Sequence, residues 1–247
     1  MLRVRTAIAL CLAGVAALGL GGQAAAAPST NLVLRYTFEL DSTSAIQDSS
    51  SHGLTGTLQN ADPSAAFVTE AAQGSKALQL VADERQYVSV PENDVLDVNR
   101  FTLMAWVRYS GVTTPETRGR WEVLEKAGAY WVNVRTDGHV RAGGFFGGCV
   151  NSQYWVYFDS TTTIPANTWT HVAARYNGSR LAIFIDGQRA GSVAVSGTTC
   201  ANNEPLAVGA KNAPAKGILE AFWDGQLDDV RIYDKALTPR RIASIGQ

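Results

Sequence analysis

The chain has 247 residues, of which 46% are hydrophobic and 17% charged, and its formal net charge is −1. This length suits one all-β domain as well as two smaller domains. The near-neutral charge argues against nucleic acid or an anionic membrane as the main partner. No apolar run approaches the roughly 20 residues that a membrane-spanning helix needs, so the sequence predicts no membrane span.

The chain begins with a leader pattern. Arg3 and Arg5 precede an apolar run from Ala7 to Leu20, and small residues continue to Ala26. This order is typical of a secretory signal peptide. We therefore predict a signal peptide over residues 1–26, one domain over residues 29–247, and an extracellular location.

Two of the three cysteines, Cys149 and Cys200, lie in the mature chain. In an oxidising compartment an isolated pair most simply forms one disulfide. The alternative, metal ligation, lacks a CxxC motif or a nearby histidine. The sequence predicts a disulfide between Cys149 and Cys200.

Short runs rich in Val, Thr, Tyr, Phe and Trp recur about every ten residues between Gly, Asn, Asp or Pro, which is typical of a β-sandwich or barrel. The predicted strands cover residues 32–38, 76–81, 86–90, 101–109, 130–135, 139–146, 154–158, 169–177, 180–186, 188–195, 218–225 and 227–233. Asp186-Gly187 predicts a type I′ hairpin turn. Thr238 followed by Pro239 predicts the start of a short C-terminal helix. A single antiparallel β-sandwich accounts for all of these elements.

Five segments in this order resemble one family: NLVLRYTFE from Asn31, DSSSHGLTGTLQN from Asp48, FTLMAWVRY, the stretch from Asn167 to Arg189, and GQLDDVRIYDKALTPRRI. The chain is identified as a member of the laminin-G-like (LamG) jelly-roll family, within the concanavalin A-like lectin and glucanase superfamily. The resemblance implies a jelly roll of two antiparallel sheets with the first and last strands side by side. It does not fix the function, because one fold serves many activities.

The resemblance also implies a structural calcium ion. Family members commonly hold Ca²⁺ with an aspartate after the first strand and with the aspartate that opens the terminal DDV strand. These positions are Asp48 and Asp228 here, and His52 would offer at most its backbone oxygen. Carboxylate and carbonyl oxygens suit calcium. The alternative is that both carboxylates accept backbone N–H groups or pair with arginine.

The sequence gives little support for catalysis. Glycosidases need two carboxylates about 5 to 9.5 Å apart, and the Glu-x-Asp-x-x-Glu pattern of the related glucanases is absent. Strand alternation predicts that Glu122 and Glu125 face opposite sides of their strand. His171 lies in an apolar strand, where a structural role is expected. A lyase that uses His or Tyr with Arg stays open as a minority hypothesis.

The central segment concentrates aromatic and polar side chains suited to sugar recognition, since ligand pockets combine apolar walls with a few polar groups. Alternation in YWVYF separates Tyr154, Val156 and Phe158 from Trp155 and Tyr157, so that one set can line a binding surface. Several of these aromatics are needed to fill the core. The candidate ligand-binding residues are Trp121, Trp131, Arg135, Phe145, Phe146, Trp155 and Tyr157.

We therefore predict a secreted, non-enzymatic LamG-like domain that binds an extracellular or cell-wall glycan or glycoprotein. The alternative is a polysaccharide-cleaving enzyme of the same fold, either a glycoside hydrolase or a lyase. A third hypothesis is an adhesive domain that recognises protein. Acids that converge in the groove of the folded chain would favour the enzyme.

Overall fold

Strands dominate the computed structural model, which describes residues 31–149 and 154–247. The predicted signal peptide lies outside these residues. The first nine strands are β1 (Leu32–Tyr36), β2 (Ala45–Ile46), β3 (Gly56–Gln59), β4 (Phe67–Val68), β5 (Ala77–Leu80), β6 (Tyr87–Val90), β7 (Phe101–Tyr109), β8 (Arg120–Lys126) and β9 (Tyr130–Arg135).

The other nine are β10 (His139–Phe145), β11 (Trp155–Thr163), β12 (Thr170–Tyr176), β13 (Arg180–Ile185), β14 (Gln188–Ala194), β15 (Leu206–Val208), β16 (Lys211–Ala213), β17 (Ile218–Glu220) and β18 (Gly225–Tyr233). The α-helices are α1 (Pro63–Ala66) and α2 (Pro239–Ile245).

The strands form two eight-stranded antiparallel sheets and one small hairpin. The first sheet runs β14-β13-β12-β7-β18-β5-β4, with β1 also paired to β18. The second sheet runs β11-β10-β9-β8-β15-β6-β3-β2, and β16 pairs with β17 separately. The terminal strands β1 and β18 therefore lie side by side, and the predicted antiparallel β-sandwich with a short C-terminal helix is confirmed.

The core lies between the two sheets and follows the alternation of each strand. On β9, Tyr130, Val132 and Val134 are buried in the main hydrophobic cluster, whereas Trp131 and Asn133 point to the opposite face. That opposite face, turned away from the core, is called here the outer face of the second sheet. It carries the candidate functional site.

A β-bulge interrupts the alternation of β8. Glu122 pairs with Asn133 of β9, but the next pair is Leu124 with Val132, so β8 carries one extra residue at this point. Both Val123 and Leu124 belong to the core cluster. A bulge places two residues of one strand opposite one residue of its partner and reverses the facing of the later residues in that strand. Glu122 and Glu125 consequently lie on the same, outer face.

Helix α2 covers the outer face of the first sheet. Thr238 is its N-cap, and its hydroxyl accepts the N–H of Arg241 at 3.2 Å, as the sequence predicts. Ile242 and Ile245 pack in a second cluster with Phe184 and other apolar residues of that sheet. The hairpin prediction is also confirmed, because Asp186 and Gly187 both have positive φ between β13 and β14.

The strand prediction differs from the structure in several places, and the short strands β2, β3, β4, β15 and β16 were not predicted. The run from 120 to 126 forms strand β8, which the sequence did not single out, and the predicted strand over 218–225 is divided between β17 and the start of β18. Ala221, between them, has a positive φ of 58°. The predicted disulfide is formed, with the Cα atoms of Cys149 and Cys200 4.7 Å apart. No helix in the described ranges is long and apolar enough to cross a membrane.

Candidate functional site

A cavity of about 300 Å³ opens on the outer face of the second sheet. Strands β8 to β11 form its floor, and the β16–β17 hairpin contributes one side. We call this cavity the outer pocket. Its lining residues are Arg120, Glu122, Glu125, Trp131, Asn133, Arg141, Trp155, Tyr157, Lys211 and Glu220.

Three aromatic side chains, Trp131, Trp155 and Tyr157, form one wall of the outer pocket. The ring centroids of Trp131 and Trp155 are 4.9 Å apart, and Phe145 packs edge-on against Trp155 at 4.5 Å. Trp155 is 38% exposed and Tyr157 50% exposed, so both present apolar surface to solvent. Such surface suits the C–H patches of a sugar ring.

Gly143 of β10 allows this wall to form. It pairs with Trp131 on one side and with Tyr157 on the other. A Cβ atom at Gly143 would lie 2.2 Å from Cζ2 of Trp131. The indole of Trp131 therefore lies directly over the backbone of β10, which only glycine permits.

Three glutamates, Glu122, Glu125 and Glu220, form the acidic part of the outer pocket. Arg120 connects two of them, because its Nε donates to Glu122 at 3.3 Å and its Nη2 donates to Glu220 at 3.2 Å. The amide of Asn133 also donates to Glu122, at 3.3 Å. Glu122 is fully buried but is held by two donors.

The surroundings of Glu125 differ from those of Glu122. Glu125 is 3% exposed, and its carboxylate accepts no hydrogen bond from the residues that the structure describes. The nearest cation is Lys211, whose Nζ lies 3.9 Å from Oε1. Burial raises the pKa of Glu125 to about 7. Burial and the charge of Glu125 also raise the pKa of Glu122, so the pair holds a proton more readily than separate carboxyls would.

The basic residues of the pocket are already engaged by acids and by the aromatic wall. Arg141 makes two hydrogen bonds to Asp159, at 2.6 and 2.9 Å, and its guanidinium lies 4.7 Å from the ring centre of Tyr157. Lys211 lies 5.9 Å from the ring centre of Trp155. Positive charges at these distances are attracted to aromatic faces.

An aromatic wall beside a few buried polar groups is the arrangement that small-molecule and sugar sites use. Buried carboxyls with strongly raised pKa values also mark functional sites more often than structural ones. The outer pocket is therefore the candidate functional site. Chemically it can stack a ring, accept and donate hydrogen bonds, and hold or release a proton.

The structure brings together only part of the predicted ligand-binding set. Trp131, Trp155 and Tyr157 line the outer pocket, and Phe145 supports Trp155 from behind. Arg135 lies outside the lining and pairs with Asp137 at 3.5 Å. The other two assignments are wrong, because Trp121 and Phe146 are fully buried in the core. Trp121 packs against Tyr109 there.

The prediction that Glu122 and Glu125 face opposite sides is also wrong, because the bulge in β8 intervenes. Sequence reasoning did not assign Lys211 or Glu220 to the site, since they come from the small β16–β17 hairpin. The surplus of charged residues between 120 and 126, in a segment otherwise apolar, is the signal that could have drawn attention to β8.

The surroundings of Asp48 do not fit a calcium ion. Its Oδ1 accepts the backbone N–H groups of Arg35 and Ser50 at 2.9 and 2.8 Å. Its Oδ2 accepts the Ser50 hydroxyl at 2.6 Å and the N–H of Leu54 at 2.9 Å. These four donors fill the roughly four lone-pair positions of a carboxylate. His52 is exposed and donates its backbone N–H to Ser50 Oγ at 3.2 Å.

Asp228 is occupied in the same way. Its Oδ2 accepts the N–H groups of Ala72 and Gln73 at 3.0 and 2.8 Å, and its Oδ1 accepts the N–H of Asp229 at 2.7 Å. Both aspartates thus act as acceptors for loop backbone, which is the alternative that the sequence left open. Asp229 is buried and pairs with Arg35 and Arg231.

A different group of acids has the spacing for a cation. One ligand atom from each of Glu92, Asp94 and Asp97 lies within 4.8 Å of the others, so this triad could hold a metal. Glu92 and Asp94 are exposed, and Asp97 also pairs with Lys126 at 3.3 Å. Exposed acidic groups of this kind are common without a bound ion.

Several solved structures are similar to this chain in fold. The binding domain of Paraclostridial Mosquitocidal Protein 1 superposes with a TM-score of 0.64 at 18% identity, over 87% of this chain and 52% of that one. Domain 4 of AbnA, a GH43 extracellular arabinanase from Geobacillus stearothermophilus solved in complex with arabinotriose, gives 0.60 at 20% identity. That match covers 88% of this chain and 98% of the domain.

The binding domain of botulinum neurotoxin DC in complex with SialylT gives a TM-score of 0.62 at 13% identity, over 88% of this chain and 51% of that one. The chain thus spans about half the length of these toxin binding domains. At such identities the likeness shows the fold alone. No curated protein matches the sequence.

The sequence profile of one family, Laminin_G_3, matches residues 82–243, which include β7 to β18 and every residue of the outer pocket. That profile is described as Concanavalin A-like lectin/glucanases superfamily. Because the match covers more than half of the chain and agrees with the two-sheet fold, the chain belongs to the Laminin_G_3 family of concanavalin A-like domains.

Proposed function

We propose that this protein is a secreted, non-enzymatic carbohydrate-binding domain that holds its ligand in the outer pocket. The observation that carries the proposal is the aromatic wall of Trp131, Trp155 and Tyr157 beside buried hydrogen-bonding groups. Contiguous exposed aromatic surface, rimmed by polar residues, marks interaction and ligand-binding sites. The ligand would be an extracellular or cell-wall glycan or glycoprotein.

The comparisons support this proposal at the level of the fold. AbnA domain 4, which this chain covers over almost its whole length, was solved with a bound arabinotriose. The disulfide and the leader sequence support export, since disulfides persist in oxidising compartments. A glycan array, followed by titration calorimetry with the best ligand, tests the proposal. Absence of binding to any glycan, with the fold intact, would overturn it.

A second candidate function, glycoside hydrolysis, is favoured by one observation. Glu122 and Glu125 lie in the same pocket with raised pKa values, and hydrolysis needs one protonated and one ionised carboxyl group. The acid would give its proton to the glycosidic oxygen as the bond to the anomeric carbon breaks. Water would add to that carbon and lose a proton to the carboxylate.

A lyase is less suited to the pocket, since uronic acid substrates would meet three glutamates. Release of reducing ends during prolonged incubation with a bound polysaccharide distinguishes hydrolysis from binding alone. Loss of that release in Glu125→Gln, with binding retained, would support the hydrolase. Binding without any release in the native protein would exclude it.

A further inference from the structure

We propose that the outer pocket selects a neutral, hydroxyl-rich saccharide unit and that Glu125 is the residue that accepts its hydroxyl groups. This inference rests on the proposed function and names its ligand class. It follows from the charge arrangement around the pocket. Among the residues that the structure describes, each cation of the pocket lies within 3.9 Å of an acid, and protein cations already lie over the rings of Tyr157 and Trp155.

Every basic residue that lines the pocket lies within 3.9 Å of an acidic side chain. Arg141 is paired twice with Asp159. Arg120 connects Glu122 and Glu220. Lys211 has Glu125 as its nearest acid, at 3.9 Å. A carboxylate, sulfate or phosphate on the ligand would have to displace one of these partners, and the displaced glutamate would stay beside it. Like charges placed together in a desolvated site are strongly unfavourable.

Basic sugars are disfavoured by the aromatic wall. An amine can bind over the face of an aromatic ring within about 6 Å. The guanidinium of Arg141 and the ammonium of Lys211 already hold such positions, at 4.7 Å over Tyr157 and 5.9 Å over Trp155. A ligand ammonium would therefore enter beside two positive charges of the protein.

Hydroxyl groups, in contrast, find an acceptor that has no hydrogen-bond donor among the described residues. Glu125 is only 3% exposed at the pocket floor, and within the described ranges its carboxylate accepts no hydrogen bond. A ligand hydroxyl that donates to Glu125 would supply a hydrogen bond that this carboxylate lacks. Glu122 and Glu220 both have donors of their own, so Glu125 is the glutamate that still lacks one.

A glycan array tests the proposal if each neutral glycan is printed beside charged derivatives of the same backbone, namely its sialylated, sulfated and de-N-acetylated forms. For the native protein we expect binding to neutral glycans and at least about tenfold weaker binding to each charged form. A charged form that binds as tightly as its neutral parent, or more tightly, overturns the inference while leaving the proposed function in place. No binding to any glycan overturns both.

Glu125→Gln keeps the shape of the side chain and removes its charge. We expect it to lower affinity for the neutral ligand about tenfold. The ratio between the affinities for the neutral glycan and for its sialylated or sulfated forms should also become smaller. Glu70→Gln, which changes an exposed glutamate outside the pocket, is the matched control and should alter neither the affinity nor the preference. An unchanged affinity and preference in Glu125→Gln would overturn the role of Glu125.

Lys211→Gln provides a second variant, which keeps both buried glutamates in the chain and removes the cation nearest to Glu125. Removal of this cation leaves the pocket more acidic, so binding of anionic derivatives should fall further relative to the neutral parent. A rise in anionic binding would contradict the proposal. Melting temperatures of all variants show that they are folded.

Discussion

Glu122 and Glu125 lie three residues apart on strand β8 and both line the outer pocket. The bulge between Glu122 and Leu124 turns them to the same face. Two buried carboxyls so placed share a low-dielectric environment, in which each raises the cost of ionising the other. This relationship gives the pocket its chemistry and leads to the first prediction.

The stability of the protein should depend on pH through Glu125. Its folded pKa of about 7 lies above its ordinary value of 4.5, so between these values the folded state holds more protons than the unfolded state. Stability therefore falls as pH rises through this window, by a few kcal/mol. Thermal melts of the native protein and Glu125→Gln at several pH values check this. The difference between the two curves should grow from pH 4.5 to 7.

Other groups titrate in the same window but are present in both proteins. Burial lowers the pKa of His171 to about 4, which makes stability fall as pH drops below 6.5. Burial raises the pKa of Asp228 to about 6. Subtraction of the Glu125→Gln curve removes both contributions and leaves that of the coupled Glu122–Glu125 pair. A pH-independent difference between the two proteins would contradict the prediction.

Trp155→Ala should weaken ligand binding with little loss of stability. Trp155 is 38% exposed and forms part of the aromatic wall. Removal of a stacking aromatic should cost at least about tenfold in affinity, or about 1.4 kcal/mol. Titration calorimetry with the glycan that binds best on the array measures this loss of affinity. Tyr154→Ala removes an equally exposed aromatic outside the pocket lining and serves as the control. Equal losses of affinity in the two variants would contradict the assignment of Trp155 to the aromatic wall.

Gly143→Ala should mainly affect ligand binding, whereas Gly144→Ala should mainly affect stability. A Cβ at Gly143 meets the indole of Trp131, whereas one at Gly144 meets the carbonyl oxygen of Ala129 at 2.6 Å and the ring of Phe146 in the core. We expect Gly143→Ala to displace Trp131 and reduce affinity, and Gly144→Ala mainly to lower the melting temperature. Tryptophan fluorescence and calorimetry distinguish the two outcomes. Unchanged binding in Gly143→Ala would mean that Trp131 does not contact the ligand.

Asp48→Ala should destabilise the fold by about 3 kcal/mol, since it leaves three backbone N–H groups near β1 without their acceptor. Addition of a chelator to the native protein should leave the melting temperature unchanged, because donors already fill the carboxylate. A large drop in melting temperature with chelator, restored by calcium, would instead establish the structural calcium site.

Loss of the disulfide should lower stability without abolishing the pocket. Cys149 and Cys200 are 51 residues apart, and the chain-entropy estimate for a loop of this size is about 4 kcal/mol. Denaturant melts of the native protein with and without reductant, and of a Cys149→Ser, Cys200→Ser double variant, measure the effect. If the double variant melts like the oxidised native protein, the disulfide adds no stability.

Much of the fold depends on local pattern. Alternation on β9 and β11 separates core residues from outer residues, so Tyr130 and Val132 are predicted on one face and Trp131 on the other. Asp186-Gly187 specifies a hairpin, and Thr238-Pro239 starts a helix. These elements depend on side chains within a few residues of each other, and for that reason the sequence predicts them. The cysteine pairing is predicted because only one pairing is possible.

The candidate site depends on contacts that the sequence does not encode locally. The bulge in β8 exists only in the pairing with β9, and one extra residue reverses the facing of Glu125. Lys211 and Glu220 reach the pocket from a hairpin about ninety residues further along the chain. Trp121 and Trp131 lie on neighbouring strands of the second sheet, yet one fills the core and the other the pocket wall. Alternation determined which residues share a face in the regular strands, whereas the bulge, the strand register and long-range packing decided the facing of Glu125 and which face meets solvent.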